Sequence, residues 1–248
     1  MKRFLAALAA MGLAIALSTS TSFAAELAGT KCTKVGLTKS VSGKKFTCIK
    51  LGKNLYWNNG VKISTVKYRV GDLGPAGGTI FYAESSVKPW GQYLEVAPNG
   101  WYGGMPDPKT SWCDLLDREI LKATGTLDAP SVTGREIGKG KGNTQVMSNL
   151  CKYGAANLAA EYRGGGKSDW FLPSQEELNQ LCKFARGQNQ GIGNCKPLGS
   201  LNSGFYNYYW SSSEVDAKYA WDRFFNIGNS NLSTKDWDGN AVRPIRSF

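Results

Sequence analysis

Between Trp170 and Leu181 the chain passes from one kind of backbone to another with almost no loop between them. Trp170, Phe171 and Leu172 form a short apolar run of strand type. Ser174 then offers a side-chain oxygen at a helix N-cap, and Glu177 stands three residues on, the capping-box spacing. Leu178 and Leu181 follow at helical spacing. A strand therefore feeds a capped helix. Glu176 and Glu177, at the start of that helix, read as dipole and cap partners rather than as an acid/base pair.

The N-terminus reads as a targeting segment. Lys2 and Arg3 are followed by an apolar run, Phe4 to Leu17, and then by a Ser/Thr-rich stretch. Ser22-Phe23-Ala24 offers small residues where a signal peptidase reads, so residues 1–24 are expected to be a signal peptide, with Ala25 as the next candidate for the cut. Leu27-Ala28-Gly29 resembles the start of a lipoprotein box, but Thr30 and Lys31 intervene before Cys32. No later stretch is apolar enough to be a transmembrane segment. The expectation is an extracytoplasmic protein, secreted or associated with the cell wall.

The formal net charge of +11 is unevenly spread. From Ala25 to Val66 eight lysines face Glu26 alone, a net +7 in a short segment. Lys31, Lys34, Lys44, Lys45, Lys50 and Lys53 are the candidate contacts for a polyanion. Outside the cytoplasm that partner would be an acidic glycan, an anionic cell-wall polymer or an anionic lipid head rather than nucleic acid. The plainer alternative is that the lysines keep a small exported module in solution. The chain has no histidine, which removes Ser-His-Asp and Cys-His catalysis as usually built and every histidine-containing zinc site.

Six cysteines in an exported chain are expected to form disulfides. Proximity suggests Cys32–Cys48, Cys113–Cys151 and Cys182–Cys195, worth roughly 3, 4 and 3 kcal/mol on loop-entropy arithmetic. No Cys-x-x-Cys is present, so a thioredoxin-type redox site or a zinc ribbon is not expected.

Residues 25–66 read as a small disulfide-closed β-meander with a linker, similar to the short lysine-rich two-cysteine modules of exported bacterial proteins. Thr38 to Val41, Lys45 to Leu51 and a strand ending at Trp57 are separated by Ser42-Gly43-Lys44 and Gly52-Lys53-Asn54. Beyond the linker, Val70-Gly71-Asp72 through Gly77-Gly78 is a glycine-rich turn. It lacks the Lys-Ser/Thr ending of a phosphate loop, and its strand follows the glycines instead of preceding them. Strands are expected at Thr79 to Ala83, Gln92 to Ala97, Tyr208 to Ser213, Tyr219 to Ile227 and Ala241 to Phe248. Turns are expected at Gly228-Asn229-Ser230-Asn231 and Asp238-Gly239-Asn240. Leu127 to Asn143 reads as a glycine-rich basic loop, and Asn143 as the N-cap of one helix running to about Tyr162. Two helices, several short strands and long loops add up to an α+β fold.

Four stretches stand in order: Val70-Gly71-Asp72 through Gly77-Gly78-Thr79-Ile80-Phe81-Tyr82, Trp170-Phe171-Leu172-Pro173-Ser174-Gln175-Glu176-Glu177-Leu178, Tyr209-Trp210-Ser211-Ser212-Ser213-Glu214, and Val242-Arg243-Pro244-Ile245-Arg246-Ser247-Phe248. With Asn143-Thr144 and Cys151 they make residues 67–248 resemble the Lcl-type C-terminal domain of bacterial collagen-like adhesins. The resemblance implies a C-type-lectin-like fold, with a small antiparallel sheet, two helices and long ligand-bearing loops. It implies an adhesin-like binder of sulfated glycans. The fold also carries protein binders, so a host or envelope protein is a further candidate partner, and it carries enzymes. The collagen repeats are absent. The Glu-Pro-Asn or Gln-Pro-Asp triplet and the Trp-Asn-Asp of calcium-dependent sugar lectins are absent too, with Trp221-Asp222 the nearest remnant.

Trp210, Trp221, Arg223 and Trp237 are the candidate ligand contacts, because indole faces stack on sugar rings and arginine forks hold sulfate or carboxylate. Each alone has a plainer role, Trp210 and Trp221 as core and Arg223 as a carboxylate's partner. Asp236, Asp238 and Asn240 place oxygens at alternate positions as calcium loops do, but without a later glutamate, and a hairpin turn explains Asp238-Gly239 without a metal. No cofactor is expected. The expected function is non-enzymatic recognition of a glycan or anionic surface polymer. The alternatives are a carboxylate-dependent enzyme acting on polysaccharide and a structural envelope protein without a small ligand.

Overall fold

The computed structural model describes residues 27–62, 67–120, 134–202, 204–206 and 208–248, so the expected signal peptide lies outside the described residues. The chain divides into two compact units, Met1–Lys67 and Tyr68–Phe248. Among the described residues no helix is long and apolar enough to cross a membrane. All three expected disulfides are present: Cys32–Cys48, Cys113–Cys151 and Cys182–Cys195.

In the first unit, β1 (Thr38–Val41), β2 (Lys44–Leu51) and β3 (Asn54–Trp57) form an antiparallel meander, and β4 (Val61–Lys62) pairs the start of β2. Alternation along β2 turns Phe46 and Cys48 inward onto Trp57. So small a core needs a covalent staple, which Cys32–Cys48 supplies.

Among its described residues the second unit is α+β, with two three-stranded antiparallel sheets and three α-helices. One sheet holds β5 (Thr79–Lys88), β6 (Gly91–Val96) and β10 (Ile245–Ser247) in the order β10-β6-β5. The other holds β7 (Tyr208–Glu214), β8 (Tyr219–Phe224) and β9 (Asn229–Thr234). The apolar run before Ser174 is reduced to a bridge: Phe171 exchanges both backbone hydrogen bonds with Ile245, at 2.8 and 2.9 Å. The chain then enters α3 (Gln175–Ala185) through a complete capping box between Ser174 and Glu177.

Four expectations are corrected. The single helix from Asn143 to Tyr162 is two, α1 (Gly140–Leu150) and α2 (Ala155–Glu161). Cys151 is extended where it meets Cys113, and the backbone of Ser111 and Trp112 accepts from Ala155 N. A Cβ on Gly154 would lie 2.5 Å from Trp112 O, and its φ of 144° suits glycine, so the chain leaves the helical path there. Asn143 lies inside α1, where its amide donates to Gly134 O and Ser212 Oγ, and so ends the expected loop early. Asn229-Ser230-Asn231 is strand rather than turn, because β9 pairs along the whole of β8. The last strand is also shorter than expected; Ala241 makes only bridges, to Lys109 and Tyr209.

The glycine run before β5 follows from close packing. Glu95 reaches across from β6, and its Oε1 accepts from Ala76 N and Gly78 N at 3.0 and 2.8 Å. A Cβ on Gly78 would fall 2.1 Å from Val96 O. Arg246 then joins Glu95 to Asp169.

Candidate ligand-binding site

The long loop after β6 and the segment leading into β7 converge on Arg243, which is 1% exposed. Its Nε donates to Asp107 Oδ2 at 2.8 Å, and Nη1 donates to Ala97 O and Asn99 Oδ1. Nη2 donates to Gly204 O, and the guanidinium lies 4.7 Å from the Phe205 ring centroid. Asp107 also accepts from Trp101 Nε1 at 3.1 Å and from the Tyr209 hydroxyl at 2.6 Å. Burial, reinforced by the Asp107 charge, pushes the Tyr209 phenol up, so it stays a donor. This buried pair is hydrogen-bonded on every side, the condition under which a desolvated ion pair is tolerated.

Over that base opens a cleft of about 420 Å³, lined by Asp107, Lys109, Tyr206, Tyr208, Trp237 and Gly239 among others. Three aromatic side chains there are exposed: Tyr206 at 42%, Tyr208 at 38% and Trp237 at 53%. Tyr208 is stacked on Phe224 at 4.3 Å, and Trp237 Nε1 donates to Asn240 Oδ1 at 3.2 Å. Aromatic faces beside a lysine suit an apolar ring edged with hydroxyls or an acidic group.

The four candidate ligand contacts separate. Trp237 lines this cleft. Trp210 is fully buried in the core, with its indole N–H on Thr110 O at 2.8 Å, so no ring face is left for a ligand. Trp221 is half-buried under the Arg135 guanidinium at 4.8 Å. Arg223 is 2% exposed and donates to Gly228 O. Desolvation lowers its pKa to about 10, against the raising effect of Glu176 and Asp222. Arg223 is thus a structural partner of its own turn. Tyr206, Tyr208, Asp107 and Arg243 escaped the sequence reading. A Tyr pair near a strand start carries no motif, and the Asp107–Arg243 pairing spans most of the unit.

Asp236 and Asp238 are exposed, while Asn240 is buried, accepting from Trp237 and donating to Asp222 Oδ2 at 3.0 Å. Among the described residues, the Cys/Asp/Glu grouping close enough to hold an ion is Cys113, Asp114 and Cys151, and its two sulfurs are already joined to each other.

A second cleft of about 570 Å³ is lined by Glu84, Lys88, Trp90, Arg135, Glu176 and neighbours. Beside it, burial and then the hydrogen bond to Glu84 push the Tyr82 phenol up to about 12. In the first unit, Lys31, Lys34, Lys44, Lys45, Lys50 and Lys53 are all exposed, spread over turns and both faces of the sheet.

No protein-family model matches the chain, and none of the curated proteins compared with it matches.

Proposed function

We propose that the protein is an exported, non-enzymatic binding protein. Its larger unit, read as a C-type-lectin-like domain resembling the Lcl type, recognises a glycan, and its lysine-rich unit holds an anionic polymer. The observation that carries the reading is the cleft formed by Trp237, Tyr206 and Tyr208 over the buried Asp107–Arg243 pair. Exposed aromatic faces on a rigid base lose little freedom when a ring stacks on them. Two small antiparallel sheets, closed by pairing of the chain's last strand and linked by long loops, support the lectin-like reading. Three disulfides support export.

Turnover finds less support than recognition. Glu177, whose carboxyl burial raises to about 7, is fully buried and engaged by the N–H groups of Ser174 and Gly138 rather than open to a cleft.

A glycan array run beside a polysaccharide-degradation assay tests the proposal. Array binding that Trp237→Ala weakens several-fold or more is the expected result. Polymer cleavage would replace the binding reading with an enzyme, and a silent array with cross-links to envelope proteins would favour a structural role.

A further inference from the structure

The small unit carries a concave groove of about 410 Å³ lined by Ile49, Leu51, Tyr56, Asn58 and neighbours. Its position follows from strand alternation. Phe46 and Cys48 point into the core, so Lys45, Ile49 and Leu51 belong to the opposite face of β2. Tyr56 stands directly opposite Ile49, and Lys31 bridges Tyr56 on the far edge, so all three share that face. Lys44 and Lys50 alternate with these and lie on the other face. Leu51 is 58% exposed, and Asn58 Oδ1 accepts from Thr47 N and Gly60 N, which leaves its amide NH2 as a donor. An apolar floor, a phenol and an amide donor therefore line the groove, and Lys31 and Lys45 share its face of the sheet outside that lining, in a segment of net charge +7.

We infer that this groove is a binding site for an anionic polysaccharide. Sugar rings would lie along Tyr56, Ile49 and Leu51, and their carboxylate or sulfate groups would meet Lys31 and Lys45. The inference rests on the reading of the lysine-rich unit as a polyanion binder and adds which face does the binding and why the polymer must carry rings. A concave surface with an amide donor fits a chain better than a flat lipid surface, which favours projecting apolar side chains.

The test uses the full chain with heparin and polygalacturonate, read by calorimetry at two salt concentrations, with the lysine variants compared at the lower one. Lys31→Ser/Lys45→Ser and Lys44→Ser/Lys50→Ser remove the same charge from different faces. The first pair is expected to weaken binding about tenfold or more, and the second about threefold or less. Leu51→Asn, at an exposed strand end, is expected to weaken binding while leaving its salt dependence unchanged. Equal losses for the two lysine pairs would overturn the inference and leave diffuse polyanion attraction standing. Failure of the unsubstituted protein to bind either polymer would remove both readings. Binding to phosphatidylglycerol vesicles but to neither polymer would overturn the groove in favour of a lipid surface.

Discussion

Glu177 serves two helices. Its Oε2 accepts from Ser174 N at 2.7 Å to complete the capping box of α3, and its Oε1 accepts from Gly138 N at 2.8 Å just before α1. Burial still outweighs these donors and pushes the carboxyl from 4.5 to about 7. The native state therefore holds this proton to higher pH than the unfolded chain. The associated stability is complete below pH 4.5 and is lost as pH rises through about 7, a difference on the order of 3 kcal/mol. Melting temperature should fall across that window, and Glu177→Gln should flatten the slope. Asp169, held below its usual range by Arg246 despite its burial, works in the opposite sense at more acid pH. At the exposed end of the scale, Trp237→Ala should cost about 1 kcal/mol or more of glycan affinity. It should leave stability within about 0.5 kcal/mol, as befits a surface side chain. Millimolar calcium should leave the melting temperature unchanged, because Asn240 is already bonded to Trp237 and Asp222.

At the scale of elements, α3 is held at both ends. Ser174 and Glu177 close its start, and Cys182 ties its last turn to Cys195 in the loop beyond. Asn179 extends that tie, its Oδ1 accepting from Cys195 N and its Nδ2 donating to Gly193 O. Replacing Cys182 and Cys195 by alanine should destabilise the unit by about 3 kcal/mol in chemical denaturation. The residual Asn179 contacts should keep the loop seated in the native state, so glycan affinity should change little. The capping box and the cysteine neighbours were legible because both are local, set by spacings of three and thirteen residues. The break between α1 and α2 was not. Alanines on both sides favour helix, and the cause of the break is the backbone of Trp112, which arrives from a distant part of the chain.

For the whole molecule, the buried clamps matter more than any one element. Arg243 joins Ala97, Asn99, Gly204 and Asp107, and Arg246 joins Glu95 to Asp169. Arg243→Leu would leave Asp107 desolvated without its cation. It should cost about 3–5 kcal/mol in denaturant unfolding and weaken glycan binding through the displaced loops around Trp237. Polyanion binding by the full chain should weaken steadily as salt rises through the range where the Debye length shrinks from about 10 Å to 3 Å. Affinity that ignored salt would count against the lysine-rich unit.

The sequence by itself determined the α+β class, the three disulfides, the capped helix and the charge asymmetry between the two parts, because each depends on neighbours in the chain or on composition. Burial decided the rest. Trp210, Trp221, Arg223 and Trp237 are equally plausible ligand contacts as letters, yet packing left only Trp237 in the aromatic cleft. The cleft's base, Asp107 with Arg243, exists only where residues 136 positions apart meet in the buried interior, a distance no local pattern encodes.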